Sequence, residues 1–259
     1  EDQGGNEPFE IENVKGDLNF KDIDFSYVKG EQVLKHFDLW VKSGQKIAIV
    51  GATGSGKTTV VNLLTRFYDI DGGVITLDGQ DIRNIPVNKL RGSIGIVLQD
   101  TVIFSDTIAQ NIRYGRIDAT DEEIVEAAKI ARVDDFASKL SDGYNTMLTE
   151  GGSNLSQGQR QLISIARAVL ADPKILILDE ATSSIDTRTE MHIQEAMVAL
   201  MKGRTSLIIA HRLSTIRDAD KIVVISGGKV VEAGDHDELL AQKGEYYKLY
   251  QSQFAGIAT

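Results

Sequence analysis

The pattern G-x-x-x-x-G-K-[ST] occupies residues 51–58 and is the clearest indication of a chemical function in this sequence. An apolar run at 46–50 precedes it, and apolar residues recur at helical spacing after it, so a buried strand and a helix are predicted on either side. In that setting glycines let backbone N–H groups point at an anion, and the helix start adds positive potential. A flexible turn is the plain alternative, but the pattern favours a phosphate-binding loop. The predicted nucleotide-binding residues of this loop are Gly51, Thr53, Gly54, Ser55, Gly56, Lys57, Thr58 and Thr59.

Two carboxylates, Asp179 and Glu180, directly follow a second apolar run at 175–178. Downstream of a phosphate-binding loop, as P-loop NTPases require, Asp179 is expected to hold Mg²⁺ together with the Thr58 hydroxyl. Glu180 is then placed to polarise a water, and Lys57 to reach the β- and γ-phosphates. The alternative is a helix start with acidic residues, which stabilises a helix by about 0.3–1 kcal/mol per charge.

A third group of residues, Ser156 to Gln159, has the pattern of a helix start. Ser156 is predicted to be the N-cap and Gln159 its capping-box partner. Gly158 lies in the first turn, where it lowers helix stability, so something is expected to approach the backbone closely there. The start of this helix is therefore predicted to be a second anion site.

In this order along the chain, the three groups resemble those of the ATP-binding cassette family, and the resemblance extends from about Asp17 to Phe254. Residues 155–159 resemble the LSGGQ signature of that family, with Gln157 in place of the first glycine. The resemblance implies that two such domains face head to tail, each ATP being enclosed between the loop of one copy and the signature of the other. The residues implied to act in trans are Ser156, Gln157, Gly158, Gln159 and Asp186.

The same resemblance implies roles for further residues. Tyr27 resembles the aromatic residue that stacks on adenine, although it could be an ordinary strand aromatic. Gln99 resembles the glutamine that touches Mg²⁺ or the attacking water and links to the transmembrane partner, and His211 the histidine that contacts the γ-phosphate. The implied catalytic residues are Glu180, His211, Gln99 and Lys57. The implied Mg²⁺ residues are Thr58, Gln99 and Asp179.

Several segments are similar to those of exporter-type transporters, namely 104–112, 234–240 and 146–152, the last with Thr149 where a glycine is usual. The implied function is that of an ATP-hydrolysing motor domain of an ABC exporter, using ATP and Mg²⁺ at the cytoplasmic face of the cell membrane. The implied partners are a transmembrane domain, of the same or another chain, and a second nucleotide-binding domain in a homodimer or heterodimer. The alternative is a soluble ABC ATPase that uses ATP-gated dimerisation for a regulatory or assembly role.

The elements that must position these residues indicate an α/β fold. Strands alternating with helices predict a P-loop NTPase (RecA-like) core, and alternating runs from 17 to 40 predict a flanking antiparallel β subdomain. An inserted α-helical subdomain is predicted at about 100–159, with the core and the β subdomain at about 14–99 and 160–259. Residues 1–13 are polar and are predicted to be a linker from a preceding transmembrane domain, so the chain is expected to be part of a longer protein.

Composition excludes several other classes. The chain has 259 residues and no cysteine, so it has no disulfide framework or thiolate metal site, and a reducing compartment is compatible. A net charge of −10 argues against nucleic acid as a partner, because backbone binding requires clustered Lys and Arg. No apolar stretch approaches the ~20 residues of a membrane-spanning helix, so this part is expected to be soluble.

Overall fold

The computed structural model describes residues 8–98, 100–179, 185–211 and 213–253, and the chain divides into two compact units. The first unit is made of Glu1–Ile94, Lys174–Glu180 and Arg204–Thr259, and the second of Gly95–Pro173 and Ala181–Gly203. The chain therefore leaves the first unit twice and returns to it twice. The predicted subdomain boundaries at 99/100 and 159/160 stay a prediction. Over the described ranges, no helix combines the length and the apolar character needed to cross a membrane.

The secondary structure of the described residues alternates between strands and helices along most of the chain. The strands are β1 (Leu18–Val28), β2 (Glu31–Val41), β3 (Lys46–Val50), β4 (Gly72–Leu77), β5 (Gln80–Asp81), β6 (Ile94–Val97), β7 (Ile175–Asp179), β8 (Thr205–Ile209), β9 (Lys221–Ser226) and β10 (Lys229–Gly234). The α-helices are α1 (Lys57–Leu64), α2 (Val87–Gly92), α3 (Ile108–Arg113), α4 (Asp121–Ile130), α5 (Asp134–Ala137), α6 (Gln157–Ala171), α7 (Thr187–Met201), α8 (Leu213–Arg217), α9 (His236–Gln242) and α10 (Glu245–Gln253). Short 3₁₀ turns lie at Ile11–Asn13, Ile82–Asn84, Gly143–Asn145 and Glu150–Gly152.

The larger sheet of the first unit has the order β10-β9-β3-β8-β7, with β6, which begins at Ile94, next in order after β7. β3 is parallel to β8 and β9, and β7 is parallel to β8, whereas β10 is antiparallel to β9. All five residues of β8 and the first four of β7 are buried. Continuously buried runs of this kind are typical of parallel strands covered on both faces, and they confirm the α/β fold predicted from the sequence.

The smaller sheet of the first unit has the order β2-β1-β4-β5 and is antiparallel, as predicted. Its residues alternate between buried and exposed positions along β1 and β2. Inside it, the rings of Phe20 and Phe37 pack edge to face with their centroids 6.0 Å apart. Period-two alternation was therefore a sufficient signal for this sheet.

The helix after the phosphate-binding loop is shorter than its apolar pattern predicts. That pattern continues through Phe67, but α1 ends at Leu64. Arg66 has a left-handed backbone (φ 51°), and the Phe67 N–H donates to the Asn62 carbonyl at 2.9 Å. The Arg66 N–H also donates to the Leu63 carbonyl at 3.1 Å, which completes a Schellman cap. The cap, rather than the loss of apolar residues, ends the helix.

The second unit is built around α6, which packs against α3, α4 and α7. α4 begins with a capping box, in which Thr120 and Glu123 exchange hydrogen bonds. α6 ends at Asp172, which has a left-handed backbone and is followed by Pro173. The guanidinium of Arg167 on α6 donates to the Asn111 carbonyl at 2.6 Å and to the Asn111 side-chain oxygen at 2.8 Å, and these bonds fix α6 to α3.

The described end of the predicted linker packs on the first unit. Phe9 is buried, and Lys89 on α2 donates to its carbonyl at 2.7 Å. A 3₁₀ turn at Ile11–Asn13 follows. The chain from residue 8 onward is therefore attached to the first unit, while the linker boundary at residue 13 stays a prediction.

Candidate nucleotide site

The predicted phosphate-binding loop leaves the larger sheet at the carboxyl end of β3. In the register of the sheet, Ile49 of β3 and Asp179 of β7 both lie beside Ile209 of β8. The Ala210 N–H donates to the Ile49 carbonyl at 3.2 Å, so His211 follows at the same edge. The structure therefore brings together the loop, Asp179 and His211 at the edge where open α/β sheets place their ligands.

Two glycines of the loop are required by its backbone. Gly54 has φ 78° and Gly56, the residue before α1, has φ 110°, both in the left-handed region. Gly51 is required for another reason, since a Cβ there would lie 2.4 Å from the Ile225 carbonyl oxygen. The loop is therefore pressed against β9 and leads into the start of α1, where the positive end of the helix favours an anion.

Lys57 folds back over this loop. Its Nζ donates to the carbonyls of Gly51 at 2.7 Å and of Ala52 at 2.9 Å. Burial lowers the pKa of Lys57, and the nearby Asp179 carboxylate opposes that shift. A partly desolvated ammonium at the start of α1 is suited to binding the charge of a phosphate, because charge–charge attraction strengthens as water is excluded.

The hydroxyl residues of the loop differ in their surroundings. Ser55 is buried, with 7% of its surface exposed, and its Oγ has no hydrogen-bond partner among the described residues. Such a buried polar atom is costly unless a ligand oxygen satisfies it. Thr53 and Thr58 are exposed, whereas Thr59 is buried. The Thr58 hydroxyl and the half-buried Asp179 carboxylate are hard oxygen donors of the kind that Mg²⁺ prefers.

Among the described residues, the candidate Mg²⁺ site is not a cluster of acidic side chains. Over the described ranges, no group of three or more His, Cys, Asp or Glu residues could hold a metal ion. Mg²⁺ is typically bound by one or two carboxylates together with substrate phosphates, so the residues present fit a metal that arrives with a nucleotide.

Tyr27, the predicted adenine platform, lies beside α1. Its hydroxyl is 3.2 Å from the Thr59 hydroxyl and accepts a hydrogen bond from the Asn62 side-chain amide at 3.0 Å. Its ring packs edge to face with Phe25 and Tyr68. Sequence reasoning missed Asn62 and Tyr68. Asn62 follows Thr59 by three residues, a spacing that places two side chains on one helix face, so a partner for the loop helix could have been sought there.

In the second unit, the predicted signature forms the start of α6 as expected. The Ser156 hydroxyl accepts from the Gln159 N–H at 3.2 Å, and the Gln159 side chain accepts from the Ser156 N–H at 2.9 Å. Ser156 is exposed, and Gln157 is half-buried. The capping box is therefore confirmed, and its exposed position leaves the start of α6 accessible.

The expected close approach to the Gly158 backbone is present. A side chain of the same chain makes it, since a Cβ at Gly158 would lie 2.2 Å from Thr189 Cγ2 on α7. Asp186 caps α7 by accepting from the Thr189 N–H at 2.9 Å. This backbone bond, with one from the Thr189 side chain, holds the pKa of Asp186 below its usual range. Gly158 is therefore needed for packing of α6 against α7, and its role in trans stays a prediction.

Replacing Gly158 with alanine is expected to lower the free energy of unfolding by about 1–3 kcal/mol, because the new methyl group overpacks the α6–α7 contact. Chemical denaturation with urea measures this loss. The double variant with Thr189→Ser, which removes the clashing methyl and keeps the hydroxyl, is expected to recover most of it. Equal losses in the single and double variants would show that the Thr189 contact is not the cause.

Thr149, where the exporter pattern usually has glycine, makes side-chain contacts that a glycine lacks. Its hydroxyl is 2.7 Å from the Ser153 hydroxyl and 3.2 Å from the Asn154 side-chain oxygen. These contacts join the segment at 146–152 to the residues just before α6. The departure from the family pattern is thus accommodated by local hydrogen bonds.

Two predicted catalytic residues, Gln99 and Glu180, fall outside the residues that the structure describes. Their roles stay predictions. His211 is described and half-buried, and it lies at the sheet edge near the loop.

The sequence matches the family model described as "ABC transporter" over residues 34–183, which is more than half of the chain. This chain belongs to the ABC transporter family. The match spans the loop, the signature and Asp179, so it confirms the predicted family and its P-loop NTPase core.

Curated relatives and a solved structure of the ABC family agree with this assignment. The uncharacterized ABC transporter ATP-binding protein YfiC of Bacillus subtilis (strain 168) is 58% identical over 239 residues, which are 92% of this chain and 40% of YfiC. The ATP-dependent lipid A-core flippase of Syntrophus aciditrophicus (strain SB) is 51% identical over 248 residues, or 96% of this chain and 41% of the flippase. A solved structure of a bacterial Atm1-family ABC exporter with ATP bound has a TM-score of 0.90 at 42% identity, covering 98% of this chain and 44% of that one.

These similarities confirm the exporter-type ATP-binding domain and the ATPase class predicted from the sequence, and they favour the exporter interpretation over the soluble alternative. The chain spans about two fifths of the length of the curated relatives it matches. What the longer ABC proteins transport, and with which partners, therefore enters only as a proposal.

Proposed function

We propose that this chain is the motor domain of an ABC exporter, which binds and hydrolyses ATP, dimerises head to tail around two ATP molecules and drives substrate transport across a membrane. The observation that carries the proposal is the loop at 51–58, where the partly buried Lys57 ammonium donates to the Gly51 carbonyl and the hydroxyl of buried Ser55 has no partner among the described residues. Family membership and the similarity to exporters support it.

In this proposal the first unit holds the nucleotide. Tyr27 stacks on adenine, while Lys57 and the loop N–H groups bind the β- and γ-phosphates. The Thr58 hydroxyl, Asp179 and Gln99 would hold Mg²⁺, which when bound would neutralise charge that develops on the phosphates. Glu180, His211 and Gln99 position a water in line with the γ-phosphate. The oxygen of this water forms a bond to phosphorus while the bond to the β,γ-bridging oxygen breaks and the water gives up a proton, so ADP, inorganic phosphate and a proton are released.

A second copy of the domain completes each site. The start of α6, a helix of fifteen residues, is exposed and carries positive potential, and Ser156 to Gln159 of one copy meet the γ-phosphate held by the other. Asp186 of the copy that supplies Ser156 to Gln159 lies beside the same site. ATP then favours the closed dimer because the γ-phosphate adds contacts that exist only when the dimer is shut, and hydrolysis removes them.

The remaining partner is a transmembrane domain, and the motor domain acts at the cytoplasmic face of the membrane. Relatives carry names as different as lipid A-core flippase and fatty acid ABC transporter, although they share about half of their residues with this chain over the aligned part. The motor domain accordingly handles ATP, and substrate recognition belongs to the membrane part.

A mixing experiment tests whether sites form between copies. Lys57→Ala disables the loop, while Ser156→Asp keeps the helix cap, because Asp is as good an N-cap as Ser, but sets a carboxylate against the γ-phosphate. Each variant alone is expected to lack ATPase activity. An equal mixture is expected to recover about a quarter of the wild-type rate per chain, because random pairing makes half of the dimers mixed and each mixed dimer has one intact site.

The matched control for the added charge is Ser156→Asn, which caps the helix without a carboxylate and is expected to retain more activity than Ser156→Asp. The rate per chain of the wild type is expected to rise with protein concentration. An inactive mixture, or a rate per chain independent of concentration in both wild type and mixture, would contradict sites shared between two copies.

A further inference from the structure

The hydroxyl of Tyr27 is held from two positions on the loop helix. It lies 3.2 Å from the Thr59 hydroxyl and accepts a hydrogen bond from Asn62 Nδ2 at 3.0 Å. Thr59 and Asn62 are three residues apart on α1, so both side chains project from the same face of the helix. The hydroxyl therefore has two partners on one rigid element.

The ring of Tyr27 also packs against two neighbouring aromatic rings, although it remains accessible. Phe25 and Tyr68 pack against it edge to face, with centroids 4.8 Å and 4.9 Å away. Even so, 43% of Tyr27 is exposed. The hydroxyl is hydrogen-bonded and the ring packs against two others. The exposed part of the ring is therefore presented to a planar ligand in one orientation.

The same helix carries the phosphate-binding end of the proposed site. α1 begins at Lys57, and Asn62 lies five residues later, about 7.5 Å along the helix axis. A hydrogen bond from Asn62 to Tyr27 thus fixes the aromatic ring relative to Lys57 and the loop. Binding of a ligand that contacts both requires no further ordering of the ring, which is the general benefit of preorganisation.

We propose that Asn62 is a positioning residue for the base of the nucleotide: by donating to the Tyr27 hydroxyl, it sets the orientation in which the ring stacks on adenine. This inference rests on the proposed function, because it assumes that the loop binds a nucleoside triphosphate and that Tyr27 contacts its base. Asn62 itself contacts neither the base nor the phosphates. Its removal should weaken binding of the base and leave binding of the phosphates intact.

Two ligands separate these effects, MgATP and inorganic tripolyphosphate with Mg²⁺, which has the phosphates and no base. Asn62→Ala is expected to raise the Kd for MgATP about threefold to tenfold, the effect of one neutral hydrogen bond. The Kd for tripolyphosphate is expected to stay unchanged, and this second measurement also reports that the loop is folded. Asn88→Ala on α2, which removes an asparagine side chain from another helix of the same unit, is the matched control and should change neither Kd.

Tyr27→Phe removes the same hydrogen bond, together with the contact with the Thr59 hydroxyl, and keeps the ring. It is expected to weaken MgATP binding at least as much as Asn62→Ala, and Asn62→Ala added to it should cause no further loss, because Asn62 acts through the Tyr27 hydroxyl. Additive losses in the double variant, an equal loss for tripolyphosphate, or an unchanged Kd for MgATP in Asn62→Ala would each overturn the inference while leaving ATP binding itself in place. A wild-type chain that bound neither ligand would overturn the proposed function as well.

Discussion

Replacing Lys57 with alanine is expected to lower the rate of ATP hydrolysis by about a hundredfold to a thousandfold, the effect of removing one preorganised donor from developing charge. In the free chain the Lys57 ammonium donates hydrogen bonds to two loop carbonyls, 2.7 Å and 2.9 Å away. A phosphate that enters the loop offers this cation a full negative charge in a partly desolvated place, which neither carbonyl can match. Steady-state ATPase kinetics and the Kd for MgATP measure the loss.

The same variant separates catalysis from folding. Burial lowers the pKa of Lys57, so the charged form is disfavoured by the fold itself, and its removal is expected to leave thermal unfolding of the free chain nearly unchanged. Lys35→Ala removes an exposed positive charge from β2 in the same unit and is expected to keep full activity. If Lys57→Ala kept near wild-type turnover, the loop would not be the site of hydrolysis. A matching fall in thermal stability would instead assign the lysine a structural role.

The parts of the fold and of the candidate site that were predictable from sequence are those determined by local chemistry. The loop glycines, the capping boxes at Thr120 and Ser156, and the stop at Pro173 each depend on residues within a few positions of one another. Their patterns are therefore readable in a window of the sequence. The buried strands were predictable as well, because a continuous apolar run bounded by polar residues has few other solutions.

What the sequence could not show depends on contacts between distant residues. Nothing near Gly158 indicates that Thr189, thirty-one positions later, fills the space beside its backbone. Asn62 and Tyr27 belong to different elements, and only the placement of β1 beside α1 makes their hydrogen bond possible. The early end of α1 has a different cause: the left-handed backbone of Arg66 is rare for a non-glycine residue, so composition gave no warning of it.

Replacing Asp179 with asparagine is expected to change the nucleotide affinity in opposite directions with and without Mg²⁺. Asp179 ends β7 at the edge of the sheet, and its charge partly opposes the lowering of the Lys57 pKa by burial. In the proposed site it holds Mg²⁺ through the metal's water shell, so its loss should raise the Mg²⁺ concentration needed for half-maximal hydrolysis by about 10- to 100-fold. Without the metal, the same carboxylate repels the phosphates, so Mg²⁺-free ATP should bind the variant more tightly than the wild type.

Titration of the ATPase rate with Mg²⁺, and ATP binding measured in EDTA, test the two halves of this prediction separately. Asp71→Asn is the matched control, because it removes one exposed carboxylate from the same unit, and it is expected to shift neither curve. The change of sign is the decisive feature. A carboxylate that merely supported the sheet would weaken ATP binding in both conditions, and one remote from the phosphates would alter neither. Only a carboxylate that faces both the metal and the phosphate charge gives weaker binding with Mg²⁺ and tighter binding without it, since the metal converts a repulsive neighbour into a ligand.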